Sequence, residues 1–415
     1  MSVIFKKALE DLQPQDIEAL VTEDYPEGTY VEFKQELPSR NPSGDSWLTG
    51  SPNIGDYARN QILEEIVAFA NAQGGYLILG IEESKTKPPK AAGIKPLPRC
   101  AELAEKLRLQ ARDCISPMLP LLNTKEIVFE EDGSGVVVCY VAQSRLAPHR
   151  LEQNAHCYIR RNDRSEKMTM REIQDLTISR YQTSAQIDTK FVERHHKFKR
   201  LMLSAFDQQE CYGFRITLIP ISGNVWIDRV HDDRFSPIQV DFSAFVETQS
   251  ININWYDFFA PSNHRPILRG SRYYHHDQNI ITSQEIYSDG VIEYVFLTRF
   301  DLKDDSSNRF RPEYIFSWVG NALLTLEKVR KNSGFFNVEY GLELELSKIS
   351  GELQIGRFRY GRARVIEENP LMIPRISVGS RDEFPTIMQI INRDLWDSAG
   401  VAGYSDFRIE FPDLP

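Results

Sequence analysis

Apolar positions along the chain switch between a period of two and a period near 3.6, which predicts an α+β protein. Asp16–Asp24, behind Pro14, predicts a short helix. Thr29–Lys34 (TYVEFK) alternates as a strand, with Val31 and Phe33 on one face and Tyr30, Glu32 and Lys34 on the other. Residues 38–56 hold an Asn-Pro step, a Ser-Pro step and three glycines, which predicts a long exposed loop. Within it Trp47 and Leu48 are either contact points for a substrate or partner, or side chains tucked back onto the domain. Asn60–Gln73 carries Ile62, Ile66 and Phe69/Ala70 at helical spacing and ends at Gly74-Gly75. Tyr76–Ile81 is continuously apolar and predicts a central strand buried on both faces. Leu97–Cys114 returns to helical spacing, and Glu126–Glu130 with Gly135–Ala142 predicts a strand pair turning at Asp132-Gly133. Tyr158–Arg161 is a further short strand, and the capping box Thr169-Met170-Arg171-Glu172 opens a helix to about Arg180.

Polar residues at Gln182–Gln186 interrupt this pattern and predict a boundary there, giving an N-terminal mixed α/β domain over 1–185 and a second over 190–415. In the second, Phe191–Phe206 predicts a helix, followed by strands at Phe214–Ile221, Gln239–Val246 and Val291–Thr298. Pro312–Arg330 and Thr386–Leu395 predict helices, and Asn337–Leu346 alternates as a strand. Neither an internal repeat nor a helix-turn-helix is visible.

The 415 residues suffice for two or three domains at roughly 100–200 residues each. Forty-nine Lys+Arg against 59 Asp+Glu leave a net charge of −10, which argues against coating of nucleic acid by overall charge. A polyanion site has to be a local basic patch on an acidic body. Five cysteines without a C-x-x-C argue against a disulfide framework or a zinc knuckle and fit a reducing cytoplasm. The longest apolar stretches, Ile66–Ala70 and Val291–Leu297, are far shorter than the roughly 18 residues of a membrane span, so a cytoplasmic protein is expected.

The residues from Arg145 to Arg171 are the candidate patch, with seven Lys or Arg against Glu152, Asp163 and Glu166. Tyr158, His149 and His156 lie among these cations, and rings with guanidinium groups suit stacking and phosphate contact. The chain has no G-x-x-x-x-G-K-[ST] phosphate loop and no G-x-S-x-G elbow. His195-His196 is expected on an exposed basic linker face and His275-His276 in a polar loop, so no site is assigned to the second domain.

Three blocks share order and spacing: Glu27-Gly-Thr-Tyr-Val-Glu32-Phe-Lys34; Ile66-Val-Ala-Phe-Ala-Asn71-Ala-Gln-Gly74-Gly75 through Gly80-Ile-Glu82-Glu83; and Pro148-His149-Arg150 with Cys157-Tyr158-Ile159-Arg160-Arg161. Together they resemble the Schlafen-type AlbA domain over about residues 15–180. The resemblance implies nucleic-acid binding. From metal-dependent members it also implies a nuclease centre in which Glu27, Glu32 and Glu83 hold Mg²⁺ or Mn²⁺. Lys34 would stabilise phosphate charge, and Arg150, Tyr158, Arg160, Arg161 and Arg164 would hold the nucleic acid. Glu82-Glu83 departs from the two aspartates of the family pattern, moving a metal farther from the backbone. A five-residue step places Glu27 and Glu32 on opposite faces of an ideal strand, so their convergence requires a bend, for which Gly28 is the candidate.

The function this implies is metal-dependent endonuclease action on structured RNA, such as tRNA, before DNA. The alternative is a non-catalytic DNA- or RNA-binding regulator whose C-terminal domain engages a protein partner or a second copy. The family's ATP-binding label is a weaker alternative, without a phosphate cradle here.

Overall fold

The computed structural model describes residues 4, 7–119, 122–206, 211–222, 225–246, 249–253, 263–299, 309–336, 338–356, 363–402 and 407–413. The chain divides into two compact units, Met1–Ala185 and Gln186–Pro415. Asn337, the expected start of one strand, lies outside the described residues.

In the first unit the elements run α1 (Pro14–Thr22), β1 (Val31–Lys34), α2 (Asp56–Asn71), β2 (Gly75–Leu79), β3 (Ile81–Glu83), β4 (Ala91–Ile94), α3 (Cys100–Cys114), β5 (Ile115–Ser116), β6 (Leu122–Val128), β7 (Gly135–Val141), β8 (Arg150–Leu151), β9 (Tyr158–Arg161) and β10 (Arg164–Lys167). The main sheet has the order β1-β2-β7-β6, with β1 and β2 parallel and the other pairs antiparallel. A parallel pair needs a crossover, and α2 supplies it. Leu77 and Leu79 pack on the α2/α3 side, while Tyr76 and Ile78 pack with Val31, Phe33 and Ile17 on the other. Burial on both faces is why β2 reads as an unbroken apolar run. Gly74 takes φ +75°, and a Cβ there would lie 2.6 Å from the Val141 carbonyl oxygen, so the helix-to-strand corner requires glycine.

The 38–56 segment is a structural cover and does not project its tryptophan. Trp47 is fully buried, donates from Nε1 to the Pro98 carbonyl at 2.9 Å, and lies 3.9 Å under the Arg99 guanidinium. Asp45 fastens the segment, accepting from the backbone N–H groups of Trp47 (2.9 Å) and Gly55 (3.1 Å). The polar composition that predicted exposure belongs to the outer surface of this cover.

The helices expected to end at about Arg180 and to start at Phe191 are one, although the division between the two units does fall at Ala185/Gln186. A single helix, α4, runs Met170–Ser204. Residues 182–186, four of them polar, include no Gly or Pro to stop it, and their polarity reflects exposure alone.

The second unit contains β11 (Cys211–Pro220), β12 (Phe242–Val246), β13 (Gln249–Ile253), β14 (Asn263–Ile267), β15 (Gly270–His276), β16 (Ile280–Tyr287), β17 (Ile292–Arg299), α5 (Pro312–Ser333), β18 (Tyr340–Lys348), β19 (Leu353–Ile355), β20 (Arg364–Ile366), β21 (Leu371–Val378), α6 (Phe384–Asp397) and β22 (Arg408–Glu410). Seven strands form an antiparallel sheet ordered β14-β15-β16-β17-β11-β18-β21. Phe214, Ile216 and Leu218 of β11 face the core built with α5 and α6, and the intervening Arg215 and Thr217 face the opposite side. Residues of α4 beyond 186 cover that side: Ile187 and Phe191 pack on Ile219 and Val291, Phe198 and Met202 on Val295 and Leu297. Arg194–Arg200 is therefore not an exposed linker face, because His195 meets Glu345 and Lys197 reaches Glu285 and Glu293. His275 and His276 lie on β15, not in a loop.

Candidate functional site

The acids singled out in the sequence arrive from different elements. Glu27 precedes β1 and is pinned by its backbone N–H to the Pro89 carbonyl (2.8 Å); Glu32 lies within β1; Glu83 ends β3. Glu27 turns back along the strand, so that its Oε1 accepts the Phe33 N–H at 2.8 Å. Gly28 is not what permits this. Its φ is not left-handed, and a Cβ there would meet no atom within 4 Å.

The cluster also contains Glu65, from the inward side of α2, which the sequence reading missed. Nothing in the sequence alone set it apart from Glu64; in the structure it adjoins the buried run Ile66–Asn71. Two cations lie among the four carboxylates. Lys34 Nζ contacts Glu32 Oε1 and lies 3.7 Å from Glu83. Arg160 has no exposed side-chain surface; its Nη2 meets Glu32 Oε2 at 2.6 Å, its Nη1 meets Glu65 at 3.2 Å, and it donates to the Gly28 carbonyl at 3.0 Å.

Crowding of like charge under partial burial moves the titrations. Burial first, then the Glu32 charge, pushes the Glu27 carboxyl up to about 7. Burial, then Glu32, also raises Glu65. Glu83 is raised by burial, against the opposing pull of Lys34. Burial works against the charged form of Lys34, but Glu32, Glu65 and Glu83 outweigh it and its pKa stands above the ordinary lysine value.

The Glu27 shift carries a sign. An unfolded glutamate titrates near 4.5 and the folded Glu27 near 7, so in this window the native state holds a proton that the unfolded chain releases. Stability is therefore lost as pH rises from 4.5 to 7. Glu27→Gln, which keeps an oxygen for the Phe33 N–H, is expected to raise stability at pH 8 by about 2 kcal/mol and to change little at pH 4. Paired thermal melts at the two pH values test this, and equal effects at both would reject it.

Formally, four carboxylates and two cations leave −2, which a divalent cation would balance. The donor arrangement does not fit the three-ligand centre. Both Glu32 oxygens are engaged by cations, one Glu27 oxygen is held by backbone, and among the described residues no group of three or more His, Cys, Asp or Glu is placed to hold a metal ion.

The expected nucleic-acid residues divide by strand alternation. On β9, Tyr158 and Arg160 point inward and Arg161 outward. Tyr158 is buried, its hydroxyl donating to Glu64 at 2.8 Å, so its ring is not open to a base. Arg161 is exposed but paired with Glu166 and Glu172. Arg150 is half-exposed, 3.9 Å from Glu152, and Arg164 is exposed on β10. His149 is fully buried, and Asn71 ties its segment to the end of α2, donating to the His149 and Tyr158 carbonyls at 2.9 and 2.8 Å. These bonds reach 78 and 87 residues along the chain.

Residues 27–169 match the family model described as Schlafen, AlbA_2, so the N-terminal unit carries a Schlafen AlbA_2 domain. The matched span begins at Glu27 and ends at Thr169, inside the 15–180 suggested by the motifs. No curated protein matches the chain. Among solved structures, the N-terminal domain of a RecG-related protein from Nitrosomonas europaea is similar at 19% identity, over 34% of this chain and 81% of its own, with a TM-score of 0.24. Similarity that loose adds no structural argument. No helix among the described residues is long and apolar enough to cross a membrane.

Proposed function

We propose that the N-terminal unit binds nucleic acid through the exposed cations of β8–β10, with Arg150 and Arg164 contacting phosphates and Arg161 joining when its carboxylate partners release it. The observation that supports this most is the six cations other than buried Arg160 against three acids over 145–171, in a chain whose net charge is −10, within a Schlafen AlbA_2 match. RNA is taken as the ligand before DNA, following the resemblance. Arg160 serves the fold beneath this face.

An Arg150→Ala/Arg164→Ala variant is expected to weaken binding uniformly across sequences, with the salt slope falling by about one for each lost phosphate contact. Anisotropy titrations of a structured RNA and a duplex DNA over a salt series measure both effects. Unchanged affinity and slope would remove this face from the interface.

A second reading, cleavage of the bound strand at Glu27, Glu32 and Glu83 with Lys34, requires the cation contacts on Glu32 to open before Mg²⁺ or Mn²⁺ could be held there. The formal −2 of the buried cluster favours it, because a divalent cation would relieve the repulsion that raises Glu27. If so, Mg²⁺ or Mn²⁺ raises the melting temperature by linkage and yields products lost with EDTA and in Glu83→Gln, while Glu82→Gln, next to the residue that meets Lys34, stays active. Neither a shift nor products would discard cleavage and leave binding standing.

A further inference from the structure

We propose that the β14–β15 hairpin of the second unit is a separate docking surface for single-stranded nucleic acid. Residues 263–276 (NHRPILRGSRYYHH) hold three Arg, three of the chain's eight His and two Tyr, with no acid, in a protein of net charge −10. The antiparallel register puts Arg265 opposite Arg272 and Asn263 opposite Tyr274, so Arg265, Arg272 and Tyr274 share one face, with His276 two residues farther along it. The Arg265 guanidinium lies 5.1 Å from the Tyr274 ring centre, and both side chains reach solvent. On the opposite face His264 stacks on Tyr273, with centroids 4.4 Å apart and planes at 23°.

Charge on the first face is one-sided. Its nearest acid is Glu285, nearly fully buried and occupied by Arg272 (2.6 Å) and Lys197 (2.6 Å). Asp277, beyond the strand end, is occupied by His275 at 3.1 Å. Arg265 and Arg269 have no ion pair among the described residues. Leu268, 89% exposed at the turn, adds an apolar surface beside Arg269. A ring with a guanidinium beside it, on a ribbon that carries no acid of its own, offers an unpaired base a stacking surface and its phosphate a cation. In a duplex the bases stack on each other and leave no face for Tyr274.

This inference shares only a ligand class with the proposal for the first unit and stands on other residues. The test uses the full chain and a fluorescent oligo-uridine of about 12 nucleotides, a length within reach of one stacking surface. Tyr274→Ala is expected to weaken binding about fivefold to a hundredfold, the range set by loss of one stacked base. Tyr274→Phe, which keeps the ring, should bind as the wild type does. Arg265→Glu, at an exposed position, should weaken binding and flatten its salt dependence. Arg150→Ala/Arg164→Ala runs alongside. If only that variant loses binding, the hairpin proposal is overturned and the first-unit reading stands; if only the hairpin variants do, the reverse holds. Competition by polyglutamate as effective as by oligonucleotide of equal charge would also overturn it, marking the surface as a dock for acidic protein.

Discussion

Arg160→Met is expected to lower the melting temperature of the first unit by about 6–20 °C. The side chain is fully enclosed, and its guanidinium joins β1 to α2 by contacting Glu32, Glu65 and the Gly28 carbonyl. Removing it leaves two buried carboxylates facing each other, and breaking a buried pair from one side costs about 3–5 kcal/mol. In a unit of this size each kcal/mol moves the midpoint by about 2–4 °C. Arg160→Lys should recover little, since an ammonium cannot span both carboxylates and the carbonyl as the planar fork does. Arg160→Met/Glu32→Gln should melt above Arg160→Met, because one stranded charge is gone. Glu32→Gln alone is expected to destabilise. Repulsion among the acids would have predicted the opposite, but Glu32 is the carboxylate both cations grip. Thermal melts of the four variants decide; an Arg160→Met midpoint within 2 °C of wild type would sink the account.

Strand β9 shows why the sequence suggested a surface role for Arg160. Alternation says that Tyr158 and Arg160 share a face and that Ile159 and Arg161 share the other, but not which face is inside. Hydrophobicity would turn Ile159 inward. The structure turns Tyr158 and Arg160 inward, because Glu64, Glu32 and Glu65 wait there. A buried polar network is legible only when both halves are seen together, and these are about 95–128 residues apart. By contrast β2 was legible as a buried central strand from its apolar run after a helix, although the expected strand overran Gly80, beyond which Ile81 belongs to β3. The convergence of Glu27 with Glu32 and Glu83 came from the family resemblance, and the turn before β1 that achieves it had no signature. Trp47 stayed open between contact and burial for a related reason: a single apolar ring in a polar segment is placed only when Pro98 and Arg99, some fifty residues on, are known to receive it.

The other large effect lies in the second unit, where Arg215→Met is expected to destabilise by about 3–5 kcal/mol. Arg215 sits on β11, an interior strand of the seven-stranded sheet, with no exposed side-chain surface. Its Nη2 is 2.7 Å from both Glu343 and Glu345, its Nε is 3.0 Å from Glu345, and its Nη1 donates to Thr217 at 2.6 Å. Without it, Glu345, about 1% exposed, keeps only the His195 ring at 3.0 Å, and Glu343 keeps Arg375 at 3.7 Å. Neither replaces a guanidinium bonded along two edges. Because the partners lie on the neighbouring strand β18, the loss should be local at first. Amide exchange should quicken in β11 and β18 while β1 and β2 keep their protection, the inverse of the pattern for Arg160→Met. Arg215→Met/Glu345→Gln should regain part of the loss, since the amide is neutral and can still meet His195. Unchanged exchange in β11 and β18 would mean that the apolar packing of Phe214, Ile216 and Leu218 holds these strands without the ion pair.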